Sequence, residues 1–252
     1  MPVDYPCGME RHSYADMEAL QATNWWYVAK RELIKRLIEK THRVFSRVLD
    51  MGCGVGSNAS ALLAPGRDVV GLDASDDALE RCRRTGMYRE LIRSEAENIP
   101  LPDSSLDLIL AADVLEHVDD ERALAEIHRT LSPGGLLLVT VPAHRWLWNW
   151  NDDYSHHLRR YAKRELMDRL SQAGFRVRKM SYWNAFSVLP VLVVSRLQRM
   201  KPKPEQLENN LNSVPGPLNS FFLMLLRLEN AFVLRTGIPF GVSLVAVAEK
   251  SR

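Results

Sequence analysis

From about residue 43 onward, short apolar runs alternate with segments whose apolar residues recur at helical spacing. "RVFSRVLD" (43–50), "RDVVGLD" (67–73), "YRELIRSEA" (88–96), "LDLILAADV" (106–114) and "LLLVTVP" (136–142) read as strands. Between them, "SNASALLA" (57–64), "SDDALERCRRTG" (75–86) and "DDERALAEIHRTLSPGG" (119–135) read as helices. The second opens on a serine and two acids and stops at a glycine. The third carries acids in its first turn and a Ser-Pro-Gly-Gly stop. Continuous apolar strands separated by helices predict a parallel sheet covered on both faces. Upstream, "WWYVAKRELIKRLIEK" (25–40) places Val28, Leu33, Ile34, Leu37 and Ile38 near helical spacing. Downstream come a Trp-rich loop (146–157), a helix near 162–173 ended by Gly174, and the strand "FRVRKMSY" (175–182). "GVSLVAVAEK" (241–250) alternates and reads as a closing edge strand.

About 58 residues separate those last two strands, far more than a sheet connection needs. They contain two apolar segments, "FSVLPVLVVSRLQRM" and "FFLMLLRLENAFVL". Each has about 12 to 14 consecutive apolar-rich residues, which reads as too short to span a bilayer. The chain thus divides into an N-terminal helical lid (1–42), a core (43–182 with 241–252) and a helical apolar insertion (183–240).

Composition narrows the class. The 252 residues are 46% hydrophobic and 25% charged, enough for one α/β domain with an elaboration. A net charge of +2 creates no overall field for nucleic acid. Cys7, Cys53 and Cys82 are odd in number and widely spaced, so neither a disulfide framework nor a metal-ligand pattern is expected. That usage suits a reducing cytoplasm. The N-terminal segment has no signal-peptide apolar region, so a cytoplasmic protein, soluble or attached to the inner membrane surface, is expected. Within 183–240, six basic residues (Arg196, Arg199, Lys201, Lys203, Arg227, Arg235) face three acids (Glu205, Glu208, Glu229), a net +3. An apolar helix pair flanked by cations suits an anionic leaflet, while a cap over the site or a dimer contact fits the same pattern.

The candidate chemistry starts at "VLDMGCGVGSN" (48–58). A phosphate-binding P-loop needs a Gly-Lys-Ser/Thr end, and Gly56 is followed by Ser57 and Asn58. A dinucleotide fingerprint is spaced G-x-G-x-x-G, whereas Asp50, Gly52, Gly54 and Gly56 form acid-x-G-x-G-x-G. This spacing resembles motif I of the class I S-adenosylmethionine (SAM)-dependent methyltransferases. Asp73 ends the second strand, where a carboxylate can accept ribose hydroxyls. "SEAENIPLPDSSLDLIL" resembles that family's D-A-E-x-L-P-F segment, and "ADVLEHVDD" and "LSPGGLLLVTVP" match the following segments in order. The resemblance covers roughly residues 30 to 182 and is nearest to the type 11 group. It implies a Rossmann-like α/β fold, with a mostly parallel seven-stranded sheet and an antiparallel last strand. It also implies SAM as cofactor, held by Asp50, Gly52, Cys53, Gly54, Gly56, Asp73, Ala74, Glu95, Ala96 and Asp113. On the N-terminal helix, Arg31, Trp25 and Trp26 could lid the cofactor, while ordinary helix packing fits the two tryptophans as well. The family places an Asp where this chain has Glu95.

The acceptor is less defined. Asn/Asp-Pro-Pro-Tyr, which marks methylation of nucleobase amines, is replaced by Ala112-Asp113-Val114-Leu115, so nucleic acid is not expected. His117, His144 and His157 are the candidate proton acceptors. Glu116 with His117 could be an acid/base pair or could tie down a turn. The stretch from His144 to Leu166 brings Trp146, Trp148 and Trp150 together with His156, His157, Arg159, Arg160 and Tyr161. It resembles the G-H-x-R-R-Y segment of a methyltransferase subgroup. Its arginines could bind an anionic acceptor or could pair with Asp152 and Asp153. The expected function is methyl transfer to a small-molecule or lipid-linked acceptor, at oxygen before nitrogen or carbon. A non-enzymatic SAM-binding regulator or membrane adaptor is the alternative.

Overall fold

The structure, a computed structural model, describes residues 11–204 and 214–251. Cys7, Glu205 and Glu208 lie outside the described residues. Seven strands form one sheet: β1 (Arg47–Met51), β2 (Asp68–Asp73), β3 (Glu90–Arg93), β4 (Leu106–Ala112), β5 (Leu131–Pro142), β6 (Phe175–Trp183) and β7 (Ser243–Lys250). The helices are α1 (Arg11–Leu20), α2 (Trp25–Glu39), α3 (Ala59–Leu62), α4 (Asp76–Arg83), α5 (Asp120–Thr130), α6 (Trp150–Tyr154), α7 (Lys163–Gln172), α8 (Val188–Arg199) and α9 (Gly216–Arg235). The strand order is β3-β2-β1-β4-β5-β7-β6, parallel except for β7, which runs antiparallel to β5 and β6.

Alternation along the central strands explains why they read as unbroken apolar runs. In β4, Ile109 and Ala111 enter the core on one face, while Leu108 and Leu110 enter the core on the other. The first face is closed by Leu124 and Ile127 of α5 and Leu166 and Leu170 of α7. The second is closed by Leu33, Ile34 and Leu37 of α2, Leu62 of α3, and Leu226 and Val233 of α9. The inner face of α2 is therefore part of the core. The covering element at the N-terminus is α1, absent from the sequence reading, which sets Tyr14 and Met17 on Val55 and Ala78.

Several expectations shift. β7 is not a closing edge. It lies between β5 and β6, with Leu244 and Ala246 in one core cluster and Val245 and Val247 in the other. Its sequence alternates bulky with small residues rather than apolar with polar. β6 holds the edge, with Arg176 and Arg178 exposed. The strand expected at 43–50 starts at Arg47, and the helix expected at 57–64 is the single turn α3. The helix expected to reach 135 ends at Thr130. Leu131 already pairs with Leu106, and the Ser-Pro-Gly-Gly stretch is passed over before Leu136 pairs with Leu108.

The insertion forms α8 and α9, and α9 is longer than its apolar run suggested. It spans 20 residues and is long and apolar enough, by length and composition, to cross a membrane. It nevertheless lies along α2. Asn230 accepts from the Trp183 indole (2.8 Å) and donates to the Ala29 carbonyl (2.9 Å), and Arg227 forks onto Glu32. The helix outruns the 12–14-residue apolar segment because it already begins at Gly216, and the two charges inside it, Arg227 and Glu229, are bonded to the protein.

The chain winds from β1 out to β2 and β3, then returns to β4 on the other side of β1. That reversal opens a crevice at the carboxyl ends of β1 and β4, where open α/β sheets bind ligands.

Candidate functional site

The loop after β1 enters the crevice through three left-handed glycines, Gly52 (φ 67°), Gly54 (φ 54°) and Gly56 (φ 85°). A Cβ on Gly52 would lie 2.5 Å from Cγ2 of Val114, so this glycine lets the loop close on the segment after β4. At Gly54 the added atom would meet only Met17, at 3.7 Å, so the backbone angle is what requires glycine there. Asp73 straps the loop: Oδ2 accepts the Gly54 N–H (2.8 Å) and Oδ1 the Ser75 N–H (2.9 Å). Burial raises its carboxyl above the usual range despite those amides. The charge of Glu95, on the rim after β3, adds to that rise, so the two carboxylates share one electrostatic neighbourhood. Glu95 is exposed, its neighbour Ala96 is buried, and Ala74 continues the β2 rim.

Asp50 is fully buried. Its Oδ2 accepts from the Tyr88 hydroxyl at 2.6 Å, and Oδ1 has no partner among the described residues. Burial pushes its carboxyl up to about 7. Ser57 Oγ and Asn58 Oδ1 are likewise buried without partners. Three polar atoms left unsatisfied around one loop fit a bound polar ligand, because buried polar groups are otherwise paired. Cys53 directs its thiol away from the crevice, 3.9 Å from the Cys82 sulfur, and offers the loop its backbone alone. Arg31 donates to the carbonyls of Gln21 (2.7 Å) and Ser57 (3.2 Å), tying the α1–α2 turn to the loop. Trp25 packs on Phe186 and Phe222 of the insertion, whereas Trp26 lies over Trp183 and under the Lys30 ammonium.

Across the crevice stands Asp113, itself left-handed at φ 56°. Its Oδ2 accepts from Lys30 Nζ at 2.7 Å and its Oδ1 from the Thr140 hydroxyl at 3.0 Å. Burial alone would raise this carboxyl, but the Lys30 ammonium and the two hydrogen bonds outweigh it and hold it below the usual range. Lys30 is 5% exposed and 4.0 Å from the Trp26 ring centroid. The sequence reading chose Arg31 and missed Lys30. The signal was present: Lys30 shares a helix face with Leu33, Ile34 and Leu37, and a lysine on an apolar face needs a partner.

Glu116 is fully buried, and neither carboxylate oxygen has a partner among the described residues. Burial, then the neighbouring Asp113 charge, pushes it well above the usual range. His117 and His157 meet edge to face with ring centroids 4.8 Å apart. Burial and His157 push His117 down to about 3. His157 Nδ1 lies 2.8 Å from Asp152 Oδ1, and Asp152 is also gripped by Arg160 Nε (2.7 Å) and Nη2 (2.8 Å). Arg159 pairs with Asp120 at 2.7 Å. Both arginines are thus committed to buried carboxylates, so the anion-binding alternative gives way to ion pairing, with Asp120 where Asp153 was expected. Asp153 instead accepts from the Trp148 indole and pairs with Lys203.

His144 stands apart from that pair at the end of β5, stacked on Tyr182 at 4.9 Å and held below its usual range by burial and Arg160. Asp113, His144, His156 and Asn184 all carry positive φ without being glycine. They fall on the segments that follow β4, β5 and β6, on the same side of the sheet, where strained backbone tends to accompany function.

Residues 49–139 match the family described as a methyltransferase domain. A "probable S-adenosylmethionine-dependent methyltransferase" of Mycolicibacterium smegmatis is 31% identical over 162 residues, covering 63% of this chain and 62% of the relative. A malonyl-[acyl-carrier protein] O-methyltransferase of Enterobacter lignolyticus is 32% identical over 133 residues, covering 50% of this chain and 53% of the relative. The chain therefore spans about three fifths of the length of the first and about half of the second. Among solved structures, a SAM-dependent methyltransferase of Thermotoga maritima superposes with a TM-score of 0.59 at 22% identity, covering 96% of this chain and 95% of its own. At that identity the likeness speaks for the fold.

Proposed function

We propose, from the match of residues 49–139 to the methyltransferase domain and from a relative named a SAM-dependent methyltransferase, that the chain uses SAM to methylate an oxygen of a lipid-linked acceptor. The observation that carries the donor side is the strapped glycine loop ringed by three buried polar atoms without partners among the described residues, Asp50 Oδ1, Ser57 Oγ and Asn58 Oδ1. When bound, SAM supplies a methyl group on a sulfonium, a leaving group already activated by its charge. The protein has to position, exclude water and take up a proton. Asp73 and Glu95 would hold the nucleoside end, with the Ala96 backbone beneath it. Asp50 and the Gly52–Gly56 backbone would hold the amino-acid end. Lys30, Asp113 and Thr140 would form one fixed side of the crevice in which donor and acceptor meet. His117 and His144 are both held below the usual histidine range, hence neutral at physiological pH. His144, displaced less strongly than His117, is the better-placed proton acceptor. Oxygen is favoured because one of the relatives is named an O-methyltransferase.

The lipid assignment rests on the insertion. Leu189, Val193 and Leu197 make an exposed stripe on α8, and Phe221, Met224, Leu228 and Phe232 make one on α9, opposite its buried Leu226, Asn230 and Val233. Arg196, Arg199, Lys201 and Lys203 gather at the end of α8. Apolar stripes beside cations suit an anionic leaflet, which would place the chain at the inner membrane surface.

The test supplies radiolabelled methyl SAM with separate lipid and aqueous extracts, alongside co-sedimentation with anionic and neutral vesicles. Label in the lipid extract and binding to anionic vesicles that Phe221→Ser/Phe232→Ser weakens are expected. Label only in the aqueous extract, without vesicle binding, would remove the lipid part and leave methyl transfer. SAM binding with no labelled product in either extract would overturn the transfer itself.

A further inference from the structure

We propose that Glu116, His117 and His157 form a binding site for a divalent transition-metal ion at the acceptor side of the crevice. One donor atom from each residue lies within 4.8 Å of the other two. Donors that far apart share a centre about 2.8 Å from each, so an inward movement of about 0.7 Å reaches the roughly 2.1 Å of zinc–nitrogen and zinc–oxygen bonds.

The surroundings of the three side chains favour a cation. Glu116 has no exposure, and both its oxygens lack partners among the described residues, an unfavourable placement unless something positive completes it. Asp152 is a carboxylate already taken by Arg160, so it can only accept, and the proton of the 2.8 Å contact belongs to His157 Nδ1. That fixes the tautomer and leaves Nε2 with its lone pair free for a metal. A carboxylate behind a histidine is the usual support of a metal-binding imidazole. The His156 backbone beside the His117 ring has a φ of 54°, outside the range favoured by L-residues. One ring nitrogen is thus pre-set as an acceptor, with the second imidazole edge to face against its ring, beside a buried carboxylate.

Two imidazoles and one carboxylate suit zinc, manganese, iron or cobalt better than magnesium or calcium. Glu116 is buried beneath, while His117 and His157 are half-buried, so a bound ion keeps coordination positions on the solvent side. Sites with three protein ligands and an open position take part in chemistry rather than holding a fold together. The ligand for the open position is an oxygen donor, such as an acceptor hydroxyl. That assignment rests on the methyl-transfer reading, whereas metal binding does not.

The test uses the full chain, chelator-treated, dialysed and free of SAM. It is titrated with Co(II) and then Zn(II), followed by calorimetry and by the visible absorption of Co(II). One ion per chain, a visible band on Co(II) addition and its loss on Zn(II) addition are expected. Glu116→Gln and His157→Gln should each weaken binding at least about tenfold, Asp152→Asn should weaken it about 10- to 100-fold through His157, and His128→Gln on α5 should change nothing. His117→Gln, which keeps a neutral hydrogen-bonding side chain, replaces either ligand variant that loses its native circular dichroism. No heat and no visible band, or binding that the ligand variants leave unchanged, would overturn the proposal. SAM is absent throughout, so failure of methyl transfer would leave this result standing.

Discussion

Replacing Lys30 with methionine tests the fixed side of the crevice. The change keeps the apolar stem and removes the ammonium, which sits 2.7 Å from Asp113 Oδ2 with the two side chains 6% and 24% exposed. Thr140 still serves Oδ1, but Oδ2 is left without its cation beside the buried Glu116. Breaking a fully buried pair by removing one partner costs about 3–5 kcal/mol. Asp113 keeps a quarter of its side-chain exposure, which places the cost near the lower bound, about 3 kcal/mol. Losing the ammonium over Trp26 adds roughly 0.5–1 kcal/mol, part of which a methionine–aromatic contact recovers. For a chain of this size each kcal/mol moves the melting temperature by about 2–4 °C, so a fall of about 6–12 °C is expected. Thermal melts at low and high salt measure it, and the fall should persist in salt because the pair is shielded from solvent. Lys30→Met/Asp113→Asn should recover most of the loss, since no uncompensated carboxylate remains. A melting temperature within about 2 °C of the parent in the single variant, a change of about 0.5–1 kcal/mol, would refute the buried-pair reasoning. So would failure of the second substitution to rescue.

Other outcomes follow from the donor side. Asp73→Ala should weaken SAM binding by about 1–3 kcal/mol by calorimetry if two ribose hydrogen bonds are lost; unchanged affinity removes Asp73 from the site. Gly52→Ala drives a Cβ to 2.5 Å from Val114 at φ 67° and should destabilise by about 1–3 kcal/mol in urea unfolding. Adding Val114→Ala relieves the contact and not the angle, so full recovery would contradict the strain. Asp50, held at about 7 in the fold against 3.8 ordinarily, binds its proton more tightly folded than unfolded. Its contribution is therefore present below pH 4 and lost as pH rises to about 7, by up to about 4 kcal/mol. Asp50→Asn should flatten that part of the stability–pH curve measured without SAM, and parallel curves for the two proteins would argue against a buried neutral Asp50.

The glycine loop, the strand-end Asp73 and the alternating strands were legible in the chain because each is a local property. A left-handed backbone angle favours glycine wherever it occurs, and a strand buried on both faces is apolar at most of its positions. Even the "VAKRELIKRL" helix was readable from its spacing. What the sequence could not convey is which distant group completes each local one. Lys30 needed Asp113, 83 positions away, before its place on an apolar face made sense. Arg159 found Asp120 rather than Asp153, although both acids were available in the chain. β7 reads as an edge until β6 is seen to pair along its outer side. His117 and His157 become neighbours, beside a Glu116 carboxylate that has no partner among the described residues, because the loops after β4 and β5 emerge at the same end of a parallel sheet. Backbone preference and hydrophobic periodicity act over a few residues, so a sequence displays them directly. Charge pairing and ligand geometry act across space at 3 to 5 Å, and only the packed sheet decides which residues come that close.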